Sequence, residues 1–449
     1  MAETSPSTVH SPTQTTPLVP RGILFPFILL TSLFAWWGLA NNMTDTLLAT
    51  FKRIMSMSDA KTALIQVVCY GAGYGLLAIP AAIFIKKYTY KSGVLLGLGC
   101  YSLGCMLFFP AKLTANYYCF LAAIWILFGG LSILETAANP YILSMGPEET
   151  ATRRLNFAQS FNPIGSIMGV IVAKIFFLSK LNTASAEERA AMSPEQLKAI
   201  QAGELNAVTV TYVTVGLILL VTWVLIAINK KMPKTHEAGG PLNLGPTFKR
   251  LIHNRHYVWG VIAQFFYVGA QIGVWSYTIR YVMQELKLEE MVVPGGKTAE
   301  DMAATYYTAA LVLFTLSRFA CTWAMRYVTP ANLLTLLSTV AVALTATVIY
   351  VGGRLGVYAL VGISGCMSLM FPTIFGLACR GLGEDTKIAG SGLIMAILGA
   401  AVVTQIQGTL SDALKSINLA YWVPLVCFIV IAYYGAVACR KDLPGTKAE

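Results

Sequence analysis

Twelve apolar segments, each about 20 residues or longer, follow one another along this 449-residue chain. They lie at about 23–50, 60–85, 92–111, 115–145, 153–179, 207–230, 255–285, 302–326, 331–350, 354–380, 388–414 and 418–439. A helix needs about 20 apolar residues to cross the hydrocarbon of a bilayer. Charged residues make up 12% of the chain, about half the share in a soluble domain. So little charge cannot cover a water-soluble surface of this size. The predicted fold is an all-α membrane protein with twelve transmembrane helices, several long enough to tilt or bend.

The connections set the expected topology. One alternate set holds Arg21, then Lys86, Lys87 and Lys91, then Arg153 and Arg154, then Lys230, Lys231, Lys234, Lys249, Arg250 and Arg255. It continues with Arg326, Arg380, Lys387, Arg440 and Lys441. Basic residues collect in cytoplasmic loops, so both termini are expected in the cytoplasm. Lys52, Arg53 and Lys61 fall on the other side, against the trend. The longest loop of the basic set carries Gly239, Gly240, Pro241, Gly245 and Pro246 and divides the spans six and six. Two six-helix bundles around a midplane cavity are a common transporter plan. The expected domains are a disordered tail 1–21, a bundle 22–230, a linker 231–254, a second bundle 255–440 and a tail 441–449. No strong residue-level repeat relates the two bundles. In the loop 181–206, Ser193, Pro194 and Gln196 have the pattern of a helix N-terminus with a capping box.

The formal charge of +11 resides in these loops, so it argues for topology and not for nucleic acid. The nine cysteines lie mostly within apolar segments without a CxxC pair, as small buried hydrophobes do. The four histidines fall in the N-terminal tail or near the central loop. No metal site, haem site or other cofactor is expected, and there is no GxxxxGK[ST] for ATP.

The chemistry concentrates between Gly129 and Gly165. Glu135 stands in the middle of an apolar segment with Asn139 one turn on, and Pro140 is expected to bend that helix. Gln159 and Asn162 share a face of the next segment. An ionisable residue inside a membrane normally faces a protein cavity and has a task. The first segment holds Asn41, Asn42 and Asp45 at helical spacing. Asp45 lies about 20 residues, or roughly 30 Å, from the cytoplasmic entry, and so in the outer half. Glu135 is about as far from the opposite entry, and so in the middle or inner half. Burying a carboxyl penalises its charged form. Two such groups at two depths suit the passage of a proton, provided that sugar hydroxyls or amides bond them differently in two states. The competing reading is that each is a paired helix–helix contact. Gln66 and Tyr70 share a face of the second segment. Gln264, Tyr267, Gln271, Trp275 and Thr278 form a stripe on the seventh. Amides and rings suit a neutral polyhydroxy ligand, while interhelical hydrogen bonding is the plainer role. Arg280 can snorkel, and Arg318 reads as a structural tie near the inner gate. So few intramembrane cations disfavour an anionic substrate.

At these residues the chain resembles a known family. LETAANPYILSMGPEE, RRLNFAQSFNPIGSI, NNMTDTLL, AQFFYVGAQIGVWSYTIRY and FPTIFGLACRGLGEDTK are similar to stretches of the bacterial L-fucose/proton symporters and their relatives, within the major facilitator superfamily. The similarity runs over nearly all of residues 22–440. It implies a two-bundle carrier working by alternating access. It implies proton coupling at Asp45 and Glu135, and substrate-binding amides at Asn42, Gln159 and Asn162. Tyr267, Gln271 and Trp275 match less closely. The family includes carriers of glucose, galactose and N-acetylglucosamine, and some animal relatives use sodium. Met370 before Phe371-Pro372-Thr373, and Gly71, Gly73 and Gly75, depart from the fucose-symporter pattern.

The reading that unites these features is a monomeric inner-membrane carrier and not an enzyme. It is expected to import a small neutral sugar, L-fucose first, with H+ rather than Na+. Glu135, Asn139 and the amides above form its site. A membrane sugar sensor is disfavoured by the short loops, and an intramembrane hydrolase by the lack of a nucleophile–base set.

Overall fold

The computed structural model describes residues 17–55, 65, 67–114, 116–182, 184, 186–233, 244–288 and 299–439. The tails 1–16 and 440–449, the linker stretch 234–243, Lys61 and Gln66 lie outside the described residues, as do the side chains of Asp45, Lys52, Arg53 and Tyr70.

The twelve segments fold as helical spans. Span one is Leu24–Ile54. Span two enters the description as a π-helical stretch, Val67–Gly75, and continues as Leu76–Lys87. Spans three and four are Tyr90–Met106, extended by Phe108–Thr114, and Tyr117–Ser144. Span five is broken into Ala151–Gln159 and Asn162–Phe176. Span six is Pro194–Ile228, and a short linker helix follows at Leu244–His253. Spans seven, eight and nine are Arg255–Glu285, Ala299–Ala324 and Pro330–Tyr350. Span ten is broken into Gly353–Met367 and Met370–Ala378, and span eleven into Thr386–Met395 and Gly399–Leu414. Span twelve is Trp422–Tyr433, continued by Tyr434–Ala438. Ten of the described helical runs are long and apolar enough to cross a membrane.

Lipid offers no hydrogen bonds to a free backbone, so helix ends must be capped from within the chain. Thr89, Asn116, Asn254 and Thr329 each accept a backbone N–H from the first turn of spans three, four, seven and nine. Ser193 and Gln196 complete the expected capping box, but the helix that they start is span six itself. That loop is held by a buried pair: the Arg189 guanidinium donates to both Glu204 carboxylate oxygens at 2.5 and 2.9 Å. Arg154 departs from the expectation of a loop charge. It is fully buried and donates to the carbonyls of Ile142, Leu143, Gly146, Pro147 and Leu18 and to the Thr150 hydroxyl. A cation there satisfies the orphan carbonyls at the end of span four and the negative end of its dipole. Span four runs through Pro140 as one helix.

The helices pair in a pattern that repeats. Spans one and five pack together, and so do seven and eleven; two packs on four and eight on ten; three packs on four and six, and nine on ten and twelve. Glycine permits the closest of these approaches. A Cβ at Gly165 would stand 1.8 Å from the Ala35 carbonyl oxygen, and one at Gly38 would stand 2.1 Å from that of Asn162. In the second group of six, a Cβ at Gly399 would stand 2.0 Å from the Phe265 carbonyl oxygen.

The face carrying most of the basic loops, called here the basic face, is where the two groups of six are tied. Lys86 donates to the Thr247 hydroxyl at 3.0 Å, and Arg250 grips the Asp385 carboxylate at 2.7 and 2.8 Å. The Gly381 amide donates to Glu148 at 3.1 Å, and the Asn156 amide donates to the Thr373 hydroxyl at 3.1 Å.

Candidate functional site

Glu135 lies nine residues before Ser144, the last residue of its helix, about 14 Å from that end at 1.5 Å per residue. Asp45 lies nine residues before Ile54, the last residue of span one. The chain thus places one acid toward each face. Glu135 is 3% exposed, and neither of its carboxylate oxygens makes a hydrogen bond of ordinary geometry. The Tyr74 hydroxyl stands beside it and accepts a 2.9 Å hydrogen bond from the Trp37 indole. A small cavity opens at the carboxyl, lined by Leu33, Phe34 and Trp37 of span one and by Leu131, Leu134 and Ala138 of span four. It has room for about one water molecule.

The amides gather on the same side. Asn139 is fully buried; its amide donates to the Glu135 carbonyl one turn back at 3.1 Å. Its oxygen accepts from the Gln159 amide at 2.8 Å, which joins span four to span five at the span-five break. Asn162 opens the second helix of span five, half-buried, and donates to the Phe34 carbonyl at 3.4 Å. Phe34 is also a wall of the cavity at Glu135. Asn42 is half-buried on span one, its amide turned back to the Gly38 carbonyl at 3.2 Å. The fold therefore brings Glu135, Asn139, Gln159 and Asn162 together around spans one, four and five, whereas Asn42, further along span one, is bonded back to its own helix. Asp45 belongs to the same helix as Asn42, with its side chain outside the description.

The stripe on span seven does not act as one lining. Gln264, Tyr267 and Thr278 are fully buried, and Tyr267 donates its hydroxyl to the Met367 carbonyl at 3.1 Å. The reason is packing: span seven touches spans eight, ten, eleven and twelve, so most of its circumference is covered. Gln271 and Trp275 remain half-buried. The Trp275 indole donates to the Ser364 hydroxyl at 3.2 Å, and its ring meets the Phe314 edge at 5.1 Å.

Two residues that sequence reasoning passed over belong to the site, Trp37 and Tyr74. Trp37 lies four residues before Asn41 on the same face of span one, which is a usable signal. Tyr74 reaches Glu135 from another span, a contact with no local trace.

Two bundles of broken helices, with an unpaired acid and amides in one bundle, define a polytopic helical carrier of the membrane. The Major Facilitator Superfamily model matches residues 25–406, and the chain belongs to that superfamily. It is 39% identical to the L-fucose-proton symporter of Haemophilus influenzae over 93% of this chain and 97% of that one. It is 38% identical to the L-fucose-proton symporter of Escherichia coli over 92% of each chain. A glucose/galactose transporter of Brucella abortus is 32% identical over 93% of this chain and 95% of that one. Among solved structures, the transporter FucP in the outward conformation aligns with a TM-score of 0.84 at 38% identity, covering 92% of this chain and 99% of that one.

Proposed function

We propose that the chain imports L-fucose or a closely related hexose together with a proton by alternating access. The observation that carries this reading is Glu135, a buried carboxyl with no hydrogen bond of ordinary geometry and only the Tyr74 hydroxyl alongside, next to the Asn139–Gln159 amide pair in a chain so similar to L-fucose-proton symporters. An isolated carboxylate in such a site is costly, whereas a carboxylic acid is tolerated. Sugar hydroxyls bonding Glu135, Asn42, Asn139, Gln159 and Asn162 would change that balance, and so link sugar binding to the proton. Asp45 is the outer proton station, and Glu135 is the inner one. Gln271 and Trp275 offer an amide and a ring from the other bundle, with Tyr267 behind them as support.

The ties between the bundles on the basic face make this the state closed on that side. With that face cytoplasmic, the sugar enters from outside. The two bundles are then residues 22–230 and 255–440 on either side of the linker 231–254. The protein sits as a monomer in the inner membrane with both termini in the cytoplasm, and it needs no cofactor beyond the coupling proton.

The test is uptake of labelled L-fucose into proteoliposomes. An inward proton gradient is expected to drive accumulation, and Glu135→Gln is expected to abolish it. Uptake that followed a sodium gradient and ignored pH would refute proton coupling. The Brucella relative favours a second substrate reading, glucose or galactose. Competition by a panel of unlabelled sugars decides between them.

A further inference from the structure

Arg318 is 3% exposed in span eight, and among the described residues no carboxylate pairs with it. Its guanidinium is bonded to two carbonyls. Nη1 donates to the Gln159 carbonyl at 3.0 Å, across the boundary between the bundles, and Nε donates to the Ser368 carbonyl in its own bundle. Both acceptors stand where a helix stops: Gln159 ends the first helix of span five, and Ser368 caps the first helix of span ten. Such carbonyls lack a partner in their own helix and carry the negative end of its dipole. A planar fork can serve two of them at once, which an ammonium group does less well.

The same guanidinium joins two parts of the site. Its carbon lies 4.6 Å from the Phe314 ring centre, and Phe314 meets Trp275 edge-on. On the other side, Gln159 holds Asn139, and Asn139 is bonded to the Glu135 carbonyl. Trp275, Phe314, Arg318, Gln159, Asn139 and Glu135 thus form one contiguous run from the rings of the second bundle to the acid of the first.

We propose that Arg318 is a positioning residue of the transport cycle, pinning the broken ends of spans five and ten together so that the Trp275 ring and the Glu135–Asn139–Gln159 group face the sugar in register only while the basic face is closed. The proposal rests on the reading of the chain as an alternating-access carrier. The Ser368 bond lies within one bundle and survives rocking. The Gln159 bond crosses between bundles and breaks when the basic face opens. Arg318 therefore favours the closed state, by an interaction that the open state lacks.

A native cysteine reports that opening. Cys379 is 6% exposed and lies beside Tyr90 of span three, in the other bundle. In proteoliposomes, Arg318→Lys is expected to lower proton-driven uptake about tenfold, the weight of one charge-assisted hydrogen bond. It is expected to raise alkylation of Cys379 by a similar factor, read by peptide mass spectrometry. Alkylation of Cys105 and Cys427, buried inside one bundle each, is expected to stay at the wild-type rate. A general loosening would raise all three together, and that result overturns the proposal, as does unchanged Cys379 alkylation. Phe314→Leu, which leaves both carbonyl bonds in place, gives a second reading should Arg318→Lys fail to insert. It is expected to weaken sugar affinity several-fold, and unchanged affinity overturns the ring link. Failure of the carrier reading itself looks different: wild-type Cys379 alkylation would then not respond to sugar, and no uptake would be seen.

Discussion

Spans one and five of the first bundle and spans seven and eleven of the second are built by the same device and used differently. In each pair a glycine lets one helix ride on a carbonyl of the other: Gly165 on Ala35 and Gly38 on Asn162 in the first, Gly399 on Phe265 in the second. Each later partner also breaks at mid-depth, span five after Gln159 and span eleven after Met395. The chemistry is not repeated. Around the first pair stand an unpaired acid and amides bonded to one another, whereas span seven keeps Tyr267 tied and Trp275 braced on Ser364. The backbone thus carries the symmetry needed for rocking, and the side chains of the first bundle carry the acid. Substitutions can separate the two contributions.

The largest effect is expected at the acid. Glu135→Gln keeps the shape and removes the titrating group. Proton-driven uptake is expected to fall on the order of a hundredfold or more, the usual weight of a proton-transfer group. Sugar exchange at equal concentrations, which needs no net proton movement, is expected to persist. A variant that lost both equally would give Glu135 a part in holding the sugar or the fold and none specific to the proton, and would erase the contrast between the bundles.

The glycines test the other half of the comparison. Gly165→Ala and Gly399→Ala each drive a methyl into a carbonyl at about 2 Å. Each is expected to destabilise by about 3 kcal/mol or more, at the upper end for overpacking. Thermal unfolding in detergent is expected to show similar losses for the two. A large loss at one and none at the other would mean that the repeat is not mechanical.

Much of this frame is visible in the chain before folding, because span length and loop charge are local properties. The capping box at Ser193 and the helical faces of Glu135 with Asn139 and of Gln159 with Asn162 are local too. What the chain conceals are contacts made between distant segments. Tyr74 beside Glu135, Asn139 bonded to Gln159 and Arg318 bonded to Gln159 all join different spans. Arg154 misleads for the same reason: its position between spans suggests a solvated charge, and its burial follows from six acceptors brought to it by the end of span four and its surroundings. The repeat escapes detection because glycine and a partner's carbonyl can be matched with no side chain in common.

Smaller effects are expected from the parts that hold the site. Asn139→Ala leaves the Gln159 amide unpaired in a buried place, at about 1–3 kcal/mol. Sugar affinity is expected to fall roughly tenfold, measured by binding in detergent, with proton dependence kept. Trp275→Phe removes the indole bond to Ser364 but keeps a ring, so affinity is expected to fall about threefold, consistent with one neutral hydrogen bond. If Trp275→Phe proved worse than Asn139→Ala, the second bundle would be the main binding surface.

The smallest effect belongs to the basic face. Arg250 and Asp385 are bonded through two contacts, but the arginine is well exposed, and Lys86 reaches the same linker helix through Thr247. Exposed ion pairs are screened by water and salt and contribute little. Arg250→Gln is therefore expected to change uptake by less than about fivefold, and by less still in high salt. Exchanging the two charges, Arg250→Asp with Asp385→Arg, is expected to restore most of the loss. A deficit that the exchange left intact would point to Thr247 and Lys86, and so to the linker helix as a whole rather than to the pair. The contrast with Arg318 then turns on solvent and place: the exposed arginine ties the linker helix to the second bundle, whereas the buried one crosses between the bundles and has its partners fixed by two helix ends.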